Sequence, residues 1–347
     1  MAALWYGMPY RDSVSNLTGN RFWEEAGPYP YLDVIRKAGI ATYFWGNWQD
    51  EPTEQVILLH ANLGGKLLIG PGSHCVPPPG YDLGKEITRY FDFHLKGADS
   101  GLYREPKVTY FVNGAPEGRE WIRGDQPPGT GVARTAFLLA GPGGEGADHR
   151  DGNLTRSAAK SKSTTFAVDY DVASDEYFAF WVNSQQAHGL RFTGQAFEVD
   201  TTMLGSPVIT LQMAADRPDA NVFAYLEDIA PDGKAVVVSL GRLAASYRRL
   251  SPAPYETLGL PWHSGTAADS APLDPGKPAE LKFALTPNAW IFKAGHRMRV
   301  VVTGADPRQR NLAQIRQDPP PRLTLLSGGA RSSRIELPLL PQGGTAR

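Results

Sequence analysis

A single cysteine, Cys75, among 347 residues excludes an internal disulfide and any cysteine-based zinc site. Such a lone cysteine is expected as a small buried filler rather than a reactive thiol. No run approaches the ~20 apolar residues needed to span a bilayer, and Met1 to Tyr10 lacks the basic start and apolar core of a secretory signal. The ordinary expectation is a cytoplasmic protein with no membrane partner. Charge of one sign is also missing. Lys and Arg (35) nearly balance Asp and Glu (36), so the net charge of −1 gives no reason to expect nucleic acid. No repeat of fixed period stands out.

Turn formers are plentiful, with 37 Gly and 29 Pro, while 41% hydrophobic content and eight Trp argue against disorder. The length suggests two domains. The first is read over residues 1–104 and is helical and parallel in pattern: a helix over Tyr31 to Ala38, a strand to Trp45, a helix over Pro52 to Leu63, a Gly64-Gly65 break, a strand over Lys66 to Ile69, and a helix over Leu83 to Lys96. Asp82 is placed to cap that last helix and Gly97 to close it. Ile87, Tyr90, Phe91, His94 and Leu95 share one stripe of it, with His94 expected to be packed.

Asp50 follows the first strand and His74 the second. A carboxylate behind an imidazole fixes its tautomer and stabilises the imidazolium formed when it takes a hydroxyl proton. Two carboxyl-end loops of neighbouring parallel strands are where such residues meet. The plain alternatives are that Asp50 caps the helix beginning near Pro52 and that His74 is a surface residue of a Pro/Gly-rich loop.

From about Lys107 the pattern alternates, and residues 105–347 are read as the second domain. Strands are expected at Val108–Val112, Arg134–Leu139, Thr164–Val168, Phe178–Val182, Leu190–Phe192, Val208–Met213, Val222–Ile229, Ala235–Leu240, Glu280–Leu285, Met298–Thr303, Leu323–Leu326 and Arg334–Leu337. Asp232-Gly233 marks a hairpin. Short strands with Gly/Pro-rich turns read as a β-sandwich or jelly roll.

Several ordered motifs then resemble one family, the cocaine esterase and X-Pro dipeptidyl-peptidase group of serine hydrolases. They are Gly46-Asn47-Trp48-Gln49-Asp50, Gly70-Pro71-Gly72-Ser73-His74, Phe91-Asp92-Phe93-His94-Leu95-Lys96-Gly97, Ser206 to Leu211, Pro231-Asp232-Gly233, Ala245 to Arg248, and Lys293 to Arg299. The likeness runs from about Gly39 to Leu337. It implies the end of an α/β-hydrolase sheet followed by a jelly-roll, galactose-binding-like β-sandwich. It also implies Asp50 and His74 as acid and base of a triad, hydrolysis of a small-molecule ester or peptide, and no cofactor or metal. Asn47 and Gly72 depart from the family's Gly and Trp, changes expected to alter the walls of the site. His296 is read as structural.

No G-x-S-x-G elbow occurs, and Ser73 is too near His74 in the chain to serve as its nucleophile. The chain therefore reads as the C-terminal half of a hydrolase whose N-terminal half supplies the serine. Such a half would also carry any targeting signal. The strand at Thr42 to Trp45 would present an open edge, a template for that half or for a homo-oligomer. On this expectation the chain by itself is inactive and its first hundred residues are less stable than the sandwich. Two other readings compete: a non-catalytic jelly-roll module binding carbohydrate or peptide through Trp121, Trp181, Trp262 or Trp290, and an inactive gene remnant. Core packing is the plainer use of those tryptophans.

Overall fold

The Gly64-Gly65 break is a reversal only glycine permits. Both residues have positive φ (74° and 88°), and a Cβ on Gly65 would overlap the Thr42 backbone. The chain is seen here in a computed structural model that describes residues 7–145, 149–157, 160–172, 181–307, 316–329 and 332–341. Helix α1 (Leu32–Lys37) leads to strand β1 (Tyr43–Gln49), then to α2 (Thr53–Leu63) and β2 (Lys66–Ser73). The two strands are parallel, with Tyr43 opposite Lys66 and Asn47 opposite Gly70, the pairing a helical crossover allows.

Both strands run further than the apolar runs suggest, because their polar and glycine positions are also paired. Gly46 lies under α2, where a Cβ would meet Thr53, Ile69 and Val56 at 3.5–3.7 Å. Helix α3 (Leu83–Lys96) has the expected ends: Asp82 Oδ1 accepts from the Lys85 amide at 2.9 Å, and Gly97 is left-handed.

Beyond residue 105 the same sheet continues. Strand β3 (Val108–Phe111) pairs parallel to β2, and β4 (Trp121–Gly124) antiparallel to β3, giving the order β1-β2-β3-β4. Trp48, fully buried, donates its indole N–H to the Phe111 carbonyl at 2.5 Å. Its cluster includes Ile57, Leu67, Ile69, Val108 and Tyr110, and also Leu204 and Ala289 from the β-rich part.

That part comprises β5 (Arg134–Ala140), β6 (Gly144–Glu145), β7 (Asp151–Thr155), β8 (Lys162–Ala167), β9 (Leu190–Ala196), β10 (Thr201–Gly205), β11 (Val208–Ala215), β12 (Asn221–Ile229), β13 (Ala235–Ala244), β14 (Ala279–Ala284), β15 (Asn288–Phe292), β16 (Arg297–Thr303), β17 (Arg322–Ser327) and β18 (Arg334–Pro338). Neighbours are mostly antiparallel and enclose one large core around Leu211, Leu226, Phe292, Val300, Leu325 and Ile335, consistent with a β-sandwich. The Asp232-Gly233 hairpin joins β12 to β13 as expected, with Gly233 at φ 88°. Of the expected strand Phe178–Val182, residues 178–180 lie outside the described residues, and Trp181 and Val182 are not in a strand.

The stripe expected on α3 is mostly exposed, His94 included. Ile87, Phe91 and Leu95 are 46%, 51% and 76% exposed, and only Tyr90 of that stripe is buried. His94 is exposed, its Nε2 2.9 Å from the Tyr103 hydroxyl. The stripe has helical spacing, but it is covered at Tyr90, against Tyr43, and touched by Tyr103 at His94, while its other members stay exposed.

Candidate active site

Parallel pairing of β1 with β2 brings the two following loops together. After Gln49 the chain turns tightly: the Asp50 amide donates to the Asn47 carbonyl (3.2 Å), the Thr53 amide to the Asp50 carbonyl (3.4 Å), and the Thr53 hydroxyl to the Asn47 carbonyl. Pro52 is the N-cap residue of α2, and no side chain caps that helix. The Asp50 carboxylate, left out of capping, goes to His74 instead: Nδ1 lies 2.9 Å from Oδ1. A carboxylate only accepts, so Nδ1 carries the proton and base chemistry falls to Nε2.

The Asp50 side chain is 8% exposed and that of His74 38%. The carboxylate is therefore held in protein while the imidazole reaches the surface. The hydrogen bond donated to Asp50 raises the His74 pKa above its ordinary value, against some desolvation, with help from the Asp50 and Glu51 charges.

Two other Asp–His contacts of like length occur among the described residues, Asp169–His188 (2.8 Å) and Asp228–His296 (2.9 Å). Distance therefore does not single out a site. Asp228 sits inside β12 and also accepts from the Trp290 indole at 2.9 Å, a structural use that accounts for His296. Of these three pairs, Asp50 and His74 alone sit at the carboxyl ends of adjacent parallel strands, where open α/β sheets form their crevice.

Glu51 Oε2 lies 4.0 Å from His74 Nδ1. Ligand atoms of Asp50, Glu51 and His74 all fall within 4.8 Å of one another, so these three could hold a metal ion. The 2.9 Å contact has hydrogen-bond length, that of an Asp–His dyad with a carboxylate at its flank.

Cys75, expected buried, is exposed and has φ 56°. The turn from Ser73 to Val76, closed by the Val76 amide on the Ser73 carbonyl (3.3 Å), puts it at the tip. Asn47, expected in the wall of the site, is 1% exposed and lies beneath the loop. Its role was not legible in the sequence, because its partners are carbonyls about 26 residues away.

Half-buried Glu54, one turn into the chain after Asp50, lines a small cavity with Ile57, Val132, Leu258 and Pro287. Burial pushes its carboxyl up to about 7. A raised carboxyl contributes stability that is present below the ordinary carboxylate range and lost as pH rises towards 7. Glu54→Gln should therefore raise Tm relative to wild type at pH 8 and change it little at pH 4. An equal shift at both pH values would contradict this.

Each of the four tryptophans has partners of its own. The Trp121 ring packs on Tyr81 and Phe111. Trp181 donates to the Val237 carbonyl, Trp262 to the Tyr255 hydroxyl and Trp290 to Asp228. Trp181 and Trp290 pack against separate core clusters.

Residues 100–330 match the family described as the X-Pro dipeptidyl-peptidase C-terminal non-catalytic domain. Over 345 residues the chain is 28% identical to a Mycobacterium bovis protein named for serine esterase activity, covering 90% of this chain and 52% of that protein. It is 24% identical over 322 residues to cocaine esterase of Rhodococcus sp., covering 84% and 53%. A crystal structure of a CocE/NonD family hydrolase from Staphylococcus aureus superposes with a TM-score of 0.65 at 17% identity, over 89% of this chain and 55% of that one. The chain thus spans about half the length of the relatives it matches. It belongs to the X-Pro dipeptidyl-peptidase C-terminal domain family, and it resembles the C-terminal half of cocaine esterase, X-Pro dipeptidyl-peptidase and CocE/NonD-like relatives.

Proposed function

We propose that Asp50 and His74 are the acid and base of a serine hydrolase that cleaves ester or amide bonds through an acyl-enzyme, with the nucleophile supplied by a further half of the hydrolase. In this reading the β-rich part is a jelly roll of the galactose-binding type. The observation that carries the proposal is the 2.9 Å contact between His74 Nδ1 and a buried Asp50 at the ends of parallel strands. As the serine oxygen attacks the carbonyl carbon, His74 Nε2 takes its proton and Asp50 stabilises the imidazolium. His74 then gives that proton to the departing alkoxide or amine, and water, deprotonated the same way, releases the acid. The donors that stabilise the oxyanion come from the other half. Two features support such a half seating here: β1 is at the end of its sheet, and Ile87, Phe91 and Leu95 are exposed.

The test is fluorophosphonate labelling and ester hydrolysis by this chain, with and without a coexpressed nucleophile-bearing half. Both signals are expected only from the pair. Labelling of this chain by itself would reject an external nucleophile, and a stable but inert pair would reject the hydrolase reading. Because Asp50 raises the His74 pKa and only neutral imidazole accepts a proton, the rate should rise with pH through a value above that of free imidazole. For stability the sign is opposite: the favourable charged contact is present below the ordinary imidazole range and lost as pH rises through the raised value. A pH–rate limb at or below the ordinary histidine value would count against the dyad.

A further inference from the structure

Asn47 reaches across the strand pair to the loop that carries His74. Its Nδ2 donates at 2.8 Å to the Ser73 carbonyl and at 2.8 Å to the Val76 carbonyl, the two peptide groups that flank His74 and Cys75. Both partners accept only, so the amide is oriented with its NH2 group towards the loop. Oδ1 is left buried with no hydrogen-bond partner among the described residues, so the side chain's polar contacts go to this loop.

Room for it comes from Gly70, its partner across the strand pair. A Cβ on Gly70 would lie 2.5 Å from Asn47 Oδ1 and 2.8 Å from Pro78 Cγ. The loop needs such a tether. Cys75 at its tip is exposed and left-handed, and the His74 side chain is 38% exposed, so the loop stands at the surface.

We infer that Asn47 is a positioning residue, a two-pronged clamp that fixes the His74 loop so that Nδ1 stays on Asp50. Its catalytic consequence rests on the hydrolase reading above, whereas the clamp does not. The Asn47 amide donates to backbone carbonyls of the loop and acts on His74 through that backbone. Gly70 and Asn47 thereby form a matched pair, in which a side chain at either residue's partner position changes the fit.

The test uses the whole chain, with ¹³C-labelled histidine followed by NMR titration and amide exchange measured over residues 74–76. In Asn47→Ala the His74 titration should fall back towards the ordinary imidazole value, and exchange in the loop should accelerate by about tenfold or more. The buried Trp48 environment, read by fluorescence, should stay native. Gly70→Ala keeps Asn47 but displaces its amide, and should give the same two changes. In the reconstituted hydrolase either variant should lower kcat more than it raises KM. Unmoved His74 titration in the folded variants would overturn the clamp. So would loss of the fold in both, since Asn47 would then serve the strand pairing rather than the loop. An inert wild-type pair with the NMR changes intact would sink the hydrolase reading and leave the clamp standing.

Discussion

Replacing His74 with Ala is expected to reduce kcat of the reconstituted hydrolase on the order of 10⁴-fold or more, with the fold unchanged. The side chain is 38% exposed and stands on a loop, so its loss opens no core cavity. Without it the serine keeps its proton at neutral pH and the leaving group has no donor. Asp50→Asn should cost roughly 10⁴-fold in kcat as well, because an amide NH2 opposite Nδ1 favours the tautomer whose Nε2 already holds a proton. That variant should also bring His74 titration down, since the Asp50 hydrogen bond is the first cause of its raised pKa. Steady-state kinetics with thermal melts in parallel read both effects. Full activity in folded His74→Ala would remove the mechanism.

The largest effect on stability is expected far from that site. Arg299→Met should destabilise the protein by roughly 3–5 kcal/mol, because it leaves a buried carboxylate unpaired. Glu227 is 0% exposed, and its Oε2 accepts from Arg299 Nε at 2.6 Å and Nη2 at 2.5 Å. The two residues face each other across β12 and β16. Oε1 accepts from the Gln185 amide at 3.2 Å, and Arg299 Nη2 donates to Ser184 at 3.2 Å, so the pair also anchors the segment before β9. Changing both members to apolar residues of similar volume should recover most of the loss, since what costs is the orphaned charge and not the missing pair. Urea unfolding of the single and double variants separates the two. A loss below about 1 kcal/mol in Arg299→Met would mean that water reaches Glu227.

The contrast between α3 and its surroundings shows where reading from sequence succeeds. Asp82 and Gly97 set the ends of that helix through contacts within four or five residues, and the amino acids themselves state those contacts. The same reading places Ile87, Phe91 and Leu95 on one stripe, which the structure leaves exposed. Periodicity reports that a face is apolar but not what lies against it. Strand β3 was found by its alternation, yet its parallel pairing to β2 was not, because alternation does not name a partner. Short strands such as Asp151–Thr155 and Thr201–Gly205 carry too few apolar residues to signal at all; they exist because neighbours accept their backbone groups.

Residue types and strand ends, written locally in the chain, determined that an acid and an imidazole would each follow a parallel strand, and motif order tied them to a hydrolase family. The tertiary structure decided that the two side chains meet at 2.9 Å, that Cys75 faces out, and that Asn47 is buried under the loop. Those outcomes depend on β1 and β2 pairing with Asn47 opposite Gly70. A one-residue slip in that register would turn Asn47 to the other face and separate Asp50 from His74. Register is set by long-range hydrogen bonding and by the helix packed across Gly46, neither of which a local stretch of sequence encodes.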